Sequence, residues 1–544
     1  MATLNFKGKT FVQNHHLAVK YHQLVPKKDK SLTDKVSLND NLILHGDNLK
    51  ALKALLPTYA GKVKCIYIDP PYNTGNEKWV YNDNVNSPMM QEWLKSQQPV
   101  DKEDFTRHDK WLCMMMPRLK LLRELLKEDG VIFVSIDENE QHHLRMLMDE
   151  VFQEENFITN IIWQKKFSPQ NDAKYFSDNH DFIVVYAKKK NISDEKSGWI
   201  RNLLPRTESM EERYSNPDND PRGLWSSSDL SVKTYSKDYD YPITTPSGKV
   251  INPTRGRCWR TSKENLMKLI ADNRIWFGPN RSNVPRIKRF LSEVQKGLVP
   301  LTIWLHKDVG HNQKARQELK EIFSDSDFPF ETPKPVGLVK RILQIASDQD
   351  SIVLDSFAGS GTTAHAVLDL NKEDGGNRKF ILVECEDYAD KITAERVRRV
   401  INGVPKAKDE KLKKGLGNTF SYFELGDPIK METILKGDRL PSYLELARYI
   451  FYTATGEEFD PKKVREKKNF IGESKEYAVY LFYKPDIEYL KSTALTLEKA
   501  KKIGPYKGKK RLIFAPGKYL DTDYLLKYRI DYCQLPFEIY KLKE

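Results

Sequence analysis

The feature that most constrains this chain is an alternation of short apolar runs with stretches of helical period. In LILHGDNLKALKALLP, a strand over Leu42 to Leu44 meets a turn at Gly46-Asp47-Asn48, and the helix after it puts Leu49, Leu52, Leu55 and Leu56 on one face. The strand KCIYID follows and closes a β-α-β unit. HDKWLCMMMPRLKLLRELLKEDG reads as one long amphipathic helix ended at Gly130, with Met114, Met115 and Met116 as core filling. VIFVSID is a buried strand and ENEQHHLRMLMDEVF a helix, in which His142 and His143 have no metal-spaced partner and read as ordinary helix residues. NIIWQKK and HDFIVVYAKK form a closing antiparallel pair. The rhythm stops near residue 188 and returns near residue 330 with helix, strand, glycine loop, helix and strand. Parallel strands joined by helices need cover on both sheet faces, so the expected fold is α/β with an inserted domain.

At 544 residues the chain exceeds what one core holds. The expected divisions are an N-terminal extension (1–40), two halves of one α/β domain (41–187 and 330–402), an insert (188–329) and a C-terminal α+β domain (403–544). The insert interleaves Trp199, Trp225, Trp259, Trp276 and Trp304 with Arg and Lys, a mixture suited to stacking on bases and to phosphate contacts and also found in plain small β-rich folds.

The strand KCIYID runs into IDPPYNTG. Proline fixes its own φ, donates no hydrogen bond and pushes the preceding residue toward extended geometry, so Asp69 and Tyr72 are held on a stiff bracket by Pro70 and Pro71. Ligands of open α/β sheets bind at such carboxyl ends. The second distinctive segment is VLDSFAGSGTTAHAV: a strand ending at Asp355, then Gly359 and Gly361, then a helix. Gly361 is followed by Thr362-Thr363, so the lysine of a phosphate-binding P-loop is missing, and no third glycine completes G-x-G-x-x-G. The next strand, KFILVECED, ends at Glu384, where an acid can accept both hydroxyls of a ribose. Together these read as an adenosine-cofactor half-site.

Charge supports a polyanionic partner: 89 basic against 76 acidic residues give a formal charge of +13. The five cysteines show no C-x-x-C spacing, so neither a zinc site nor a disulfide framework is written here. No apolar run approaches the roughly 18 residues of a membrane span, and the amino terminus lacks the apolar core of a signal peptide. A soluble, cytoplasmic protein is expected.

DPPY at Asp69 to Tyr72, followed later by DSFAGSG at Asp355 to Gly361, resembles the amino-methylating DNA methyltransferases in the permuted motif order of their β class. HGDNLKAL, VSIDENE and ETPKP resemble in particular the modification subunits of type III restriction systems, over roughly residues 40 to 400. The resemblance implies a Rossmann-like fold dependent on S-adenosylmethionine, an inserted target-recognition domain, and methylation of a flipped-out adenine at N6 in double-stranded DNA. DPPY goes mainly with adenine and SPPY with cytosine, so Asp69 favours adenine. Carried over, Asp69 and the Pro70 carbonyl accept hydrogen bonds from the exocyclic amino group, and Tyr72 stacks on the base. Asp355, Phe357, Gly359 and Gly361 line the cofactor, Glu384 holds its ribose, Lys334 lies near its carboxylate and Asp47 reaches its adenine. No metal is required. The resemblance further implies a homodimer and a separate restriction or helicase subunit. The alternatives are the same fold acting on cytosine N4, RNA or a protein amide, and a catalytically inactive DNA-specificity subunit.

Overall fold

The computed structural model describes residues 3–75, 106–191, 197–206, 212–294, 297–325, 330, 332–428, 440–457, 459–503 and 508–535. Two compact units form, one from Met1–Asn202 with Leu301–Glu544 and one from Leu203–Pro300.

The larger unit is built on a ten-stranded sheet of β1 (His22–Pro26), β2 (Leu42–His45), β3 (Val63–Ile68), β4 (Leu126–Ile136), β5 (Phe157–Gln164), β6 (His180–Ala187), β7 (Ile303–Trp304), β8 (Ile352–Asp355), β9 (Lys379–Glu384) and β10 (Ser421–Pro428). Their order across the sheet is β1-β10-β2-β9-β8-β3-β4-β6-β5-β7. The pairings from β10 through β4 are parallel; β1 with β10, β4 with β6 and β6 with β5 are antiparallel. Helices α1 (Asn48–Tyr59), α2 (Arg107–Leu125) and α3 (Gln141–Phe152) share one apolar core with Ile66 and Ile68 of β3 and Ile132, Val134 and Ile136 of β4. Strand side chains alternate, so Cys65 and Tyr67 point to the opposite face, where α4 (Val336–Ala346) packs on α5 (Thr362–Asp374). The sheet is thus doubly wound, and β3 lies beside β8 with Cys65 opposite Val353 and Ile66 opposite Leu354. This juxtaposition puts DPPY and the glycine loop at neighbouring carboxyl ends, although Asp69 and Asp355 lie far apart along the chain.

Several expectations need correction. The long helix stops at Leu125, because Leu126 pairs with Val63 to open β4. Gly130 belongs to that strand, where a Cβ would stand 2.9 Å from the Lys127 carbonyl oxygen and 3.0 Å from that of Val63. The compact inserted unit is narrower than 188–329, because Ile303–Trp304 enters the main sheet beside Ile162 and Trp163 and helix Asn312–Ile322 contacts α6 (Glu395–Asn402). The terminal ranges also contribute to the main sheet: β1 from within 1–40 pairs with β10 from within 403–544. Beyond β10, helix α7 (Tyr443–Thr455) packs on α1, and the strands Phe470–Glu473, Tyr477–Leu481, Lys510–Ala515 and Ile530–Gln534 form a separate four-stranded sheet.

The inserted unit gathers Leu230, Ile243, Trp259, Leu266, Ile275 and Phe277 into a small core beside a three-stranded sheet. Trp225 and Trp259 are buried there, and Trp199 and Trp304 are buried in the larger unit. These indoles fill cores, so they do not offer the stacking surface that the composition suggested.

Candidate active site

Asp69 follows the last residue of β3, with Pro70 buried behind it. Its Oδ2 accepts from Lys334 Nζ at 2.5 Å, while its Oδ1 is buried and accepts no well-aligned hydrogen bond among the described residues, although the Tyr72 phenol approaches this carboxylate. Unsatisfied buried acceptors are uncommon and point to a missing donor. The Lys334 ammonium also lies 5.0 Å from the centroid of the Tyr72 ring, within cation–π range. Lys334 therefore ties the two ends of the DPPY bracket together. Burial raises the Tyr72 phenol well above its ordinary value, with the charge of Asp69 adding to the effect, so the ring stays neutral.

The bracket is braced from α2 and from the turn before α3. Trp111 Nε1 donates to the Pro71 carbonyl at 2.7 Å. Asn73 is buried, with φ at +59°, and its Nδ2 donates to Glu140 Oε1 at 2.5 Å. The same carboxylate meets His108 Nδ1 at 2.5 Å and His143 Nδ1 at 2.8 Å. His143 is therefore more than an ordinary helix residue, since the fold brings it Glu140 and, from α2, His108, a trio of metal-ligating type. The separations are nevertheless those of hydrogen bonds; donors sharing a tetrahedral metal at about 2.0–2.1 Å would stand roughly 3.3 Å apart. None of Trp111, Asn73, His108 or Glu140 was singled out from the sequence, although Asn73 adjoins the bracket and Glu140 falls within VSIDENE.

Across from the bracket, Asp355 ends β8. Its Oδ1 accepts from the Phe357 amide at 3.0 Å and its Oδ2 from Thr363 Oγ1 at 2.6 Å, so this acid closes the glycine loop onto the start of α5. Gly359 and Gly361 have φ of +51° and +79°, the left-handed region that glycine tolerates. A Cβ on Gly361 would also meet the Thr393 carbonyl oxygen at 3.1 Å. Glu384 Oε2 accepts from the Gly359 amide at 2.7 Å, and its Oε1 accepts from the amides of Cys385 and Glu386 at 2.9 and 3.0 Å. Three of roughly four acceptor positions are thereby used, which orients the carboxylate and leaves one position. Burial pushes both Asp355 and Glu384 up to about 7.

Phe357 is half-buried against the main core. Asp47 caps α1 by accepting from the Lys50 amide at 3.0 Å. Its neighbour Asn48 donates to the Ser356 carbonyl at 3.2 Å and accepts from Arg118 Nε at 2.6 Å, linking α1 and α2 to the glycine loop. Asp69, Tyr72 and Lys334 thus form one cluster, and Asp355, Gly359 and Glu384 a second on adjoining strands; Asp47 adjoins the second, since the Gly46 amide donates to the Glu384 carbonyl at 2.9 Å and Arg118 lies 3.9 Å from Asp47 Oδ2.

A family model described as DNA methylase matches residues 63–395, a span that holds both clusters. The chain belongs to the DNA methylase family. Within this family, it is 35% identical over 423 residues to the type III restriction-modification enzyme StyLTI Mod subunit of Salmonella typhimurium, covering 73% of this chain and 62% of the relative. It is 30% identical over 427 residues to the EcoP15I Mod subunit of Escherichia coli, covering 71% and 64%. The type II methyltransferase M.KpnI of Klebsiella pneumoniae is 31% identical over 372 residues, covering 65% of this chain and 82% of that one. The chain spans somewhat under two thirds of the length of the two Mod subunits. No helix among the described residues is long and apolar enough to cross a membrane.

Proposed function

We propose that this DNA methylase transfers a methyl group from S-adenosylmethionine to the exocyclic N6 of a flipped-out adenine in double-stranded DNA. The observation that carries the reading is Asp69 Oδ1, a buried acceptor with no well-aligned hydrogen bond among the described residues, on a bracket beside a glycine loop. The cofactor, when bound, supplies an electrophilic methyl group. Residues of the second cluster fit it: the left-handed glycines let the loop turn tightly between β8 and α5, and Glu384 keeps one acceptor position for a ribose hydroxyl. Phe357 and Asp355 line that side, and Asp47 is the candidate for the adenine edge.

The work left to the chain is positioning. An aromatic amine is a weak nucleophile because its lone pair is conjugated with the ring, so orientation of its hydrogens matters. Lys334 occupies Asp69 Oδ2, which leaves Oδ1 as the acceptor for the amino group, together with the Pro70 carbonyl. Tyr72 supplies the π surface for an extruded base. We assign Lys334 to Asp69 as well as to the cofactor carboxylate. The Mod names of the relatives support a modification role in which a separate restriction subunit supplies cleavage. Two copies of this chain are expected to pair on DNA, in the cytoplasm.

Asp69→Ala is expected to abolish transfer of tritiated methyl to DNA while cofactor affinity, measured by calorimetry, survives. Turnover close to wild type in that variant would overturn the role of Asp69. Mass spectrometry of nucleosides from the methylated DNA separates adenine N6 from cytosine N4.

A further inference from the structure

Between β5 and β6 the chain makes a long excursion, KKFSPQNDAKYFSDN, whose two ends are anchored differently from its tip. At the base, the amides of Lys165 and Lys166 donate to the Asn179 carbonyl at 2.9 and 3.2 Å, and the Asn312 amide donates to the Lys165 carbonyl at 3.1 Å. Phe167 packs on the rings of His306 and His311, at 5.5 and 5.3 Å between centroids. Further out, the Gln170 amide donates to Ser177 Oγ at 2.8 Å, which folds the tip back on itself. Beyond these contacts Tyr175 is 82% and Phe176 91% exposed. Two adjacent aromatic rings this bare are costly in water unless something covers them.

The base of the excursion borders the methylation site. β6 opens beside the carboxyl end of β4, with Phe182 opposite Ile136, and β4 runs beside β3, with Val134 opposite Ile68, so the excursion leaves the sheet at the end that carries Asp69; Lys165 Nζ pairs there with buried Asp181 at 2.5 Å. Phe176 lies five residues before Asp181, a separation of at most about 17 Å along the chain. One strand of a duplex advances about 3.4 Å per base, so this span corresponds to about five base steps, short enough for the tip and the site to meet one duplex. Lys174 Nζ sits 5.4 Å from the Tyr175 centroid, pairing a cation with the exposed ring as phosphate beside a stacked base would require. Lys166 and Lys307 add positive charge near the base, against Asp308 beside Lys307 and Asp172 and Asp178 within the excursion, while Lys314 pairs with Glu318 at 4.0 Å.

We propose that Tyr175 and Phe176 form an aromatic wedge that enters the DNA duplex at the target site and compensates the stacking lost when the base is extruded. This rests on the reading of the chain as a DNA methyltransferase and adds the surface that opens the substrate. Apolar side chains inserted between base steps are an established way of offsetting local unstacking.

The test uses the full chain and a duplex carrying its site, mapped first by sequencing plasmid DNA methylated by the protein. Tyr175→Ala/Phe176→Ala is compared with wild type on the fully paired duplex and on the same duplex with a mismatch opposite the target, which lowers the cost of extrusion. Initial rates of tritiated-methyl transfer are expected to fall roughly 5- to 150-fold on the paired duplex, as loss of one or two stacking contacts implies. On the mismatched duplex the rate is expected to return to within about threefold of wild type. Tyr175→Leu/Phe176→Leu, which keeps an apolar wedge, is expected to lie between the two. Cofactor affinity measured by calorimetry checks that each variant is folded. An equal loss on both duplexes, or no loss on either, would overturn the wedge while leaving methylation intact. A wild-type chain that transfers no methyl to DNA would instead overturn the parent reading, and the wedge with it.

Discussion

Glu140 carries more of the candidate site than its place in a helix-leading turn suggests. Its side chain is fully buried, and it accepts from Asn73 while meeting His108 and His143. Asn73 directly follows Tyr72 and sits at φ +59°, a left-handed conformation that asparagine tolerates better than most residues, and the carboxylate fixes its side chain at the exit of the bracket. Glu140→Gln keeps the volume but turns one acceptor into a donor facing a donor, and an unsatisfied buried polar group costs about 1–3 kcal/mol. The urea midpoint is expected to fall accordingly, with kcat reduced more than cofactor affinity. An unchanged midpoint and unchanged kcat would mean that the bracket holds its shape unaided. The proline bracket was legible in the sequence because proline acts on its own neighbours. The Glu140 knot was not, since its members come from residues 73, 108, 140 and 143 and meet only through tertiary contact.

At the scale of elements, the glycine loop joins β8 to α5 through side chains that titrate near neutrality. Asp355 and Glu384 have ordinary values of 3.8 and 4.5 and are pushed up by burial to about 7. Both therefore bind protons more tightly when folded than when unfolded, and their contribution to stability declines as pH rises from about 4 to about 7. Without cofactor, Asp355→Asn is expected to flatten this part of the pH dependence, measured as the urea midpoint from about pH 4.5 to about pH 8. Parallel profiles for variant and wild type would show that Asp355 is not the titrating group. Glu384 works in the opposite sense for ligand binding, because ionisation restores its full acceptor capacity toward a ribose hydroxyl. The run from Lys110 to Gly130 shows where helical periodicity misleads. Its apolar spacing continues past Leu125, yet Val63 on the neighbouring strand offers backbone partners that end the helix and begin β4.

For the whole molecule, the main sheet draws strands from every one of the expected divisions, while the inserted unit Leu203–Pro300 has its own core. A unit with its own core can be exchanged without dismantling the sheet that carries the site. Replacing residues 203–300 by the corresponding segment of a relative such as M.KpnI is expected to change the methylated sequence while tritiated-methyl transfer continues. An active chimera that still methylates the original sequence would place recognition outside this unit. The C-terminal region attaches through aromatic contacts: Tyr449 of α7 meets Tyr21 at 4.7 Å between ring centroids, and Tyr452 donates to Glu124 at 3.4 Å.

The sequence by itself determined the local chemistry: a strand stiffened at its end by Pro70 and Pro71, a loop that needs glycine at positions 359 and 361, and strands and helices whose apolar periods differ. Each of these depends on a residue and its near neighbours. The tertiary structure decided which ends meet. Pairing of β3 with β8 brings Asp69 beside the glycine loop, Lys334 reaches Asp69 from the segment before α4, and Trp111 reaches Pro71 from α2. It also decided that Trp199, Trp225, Trp259 and Trp304 are buried while Tyr175 and Phe176 stay bare, because burial depends on what lies opposite a side chain and not on its own hydrophobicity.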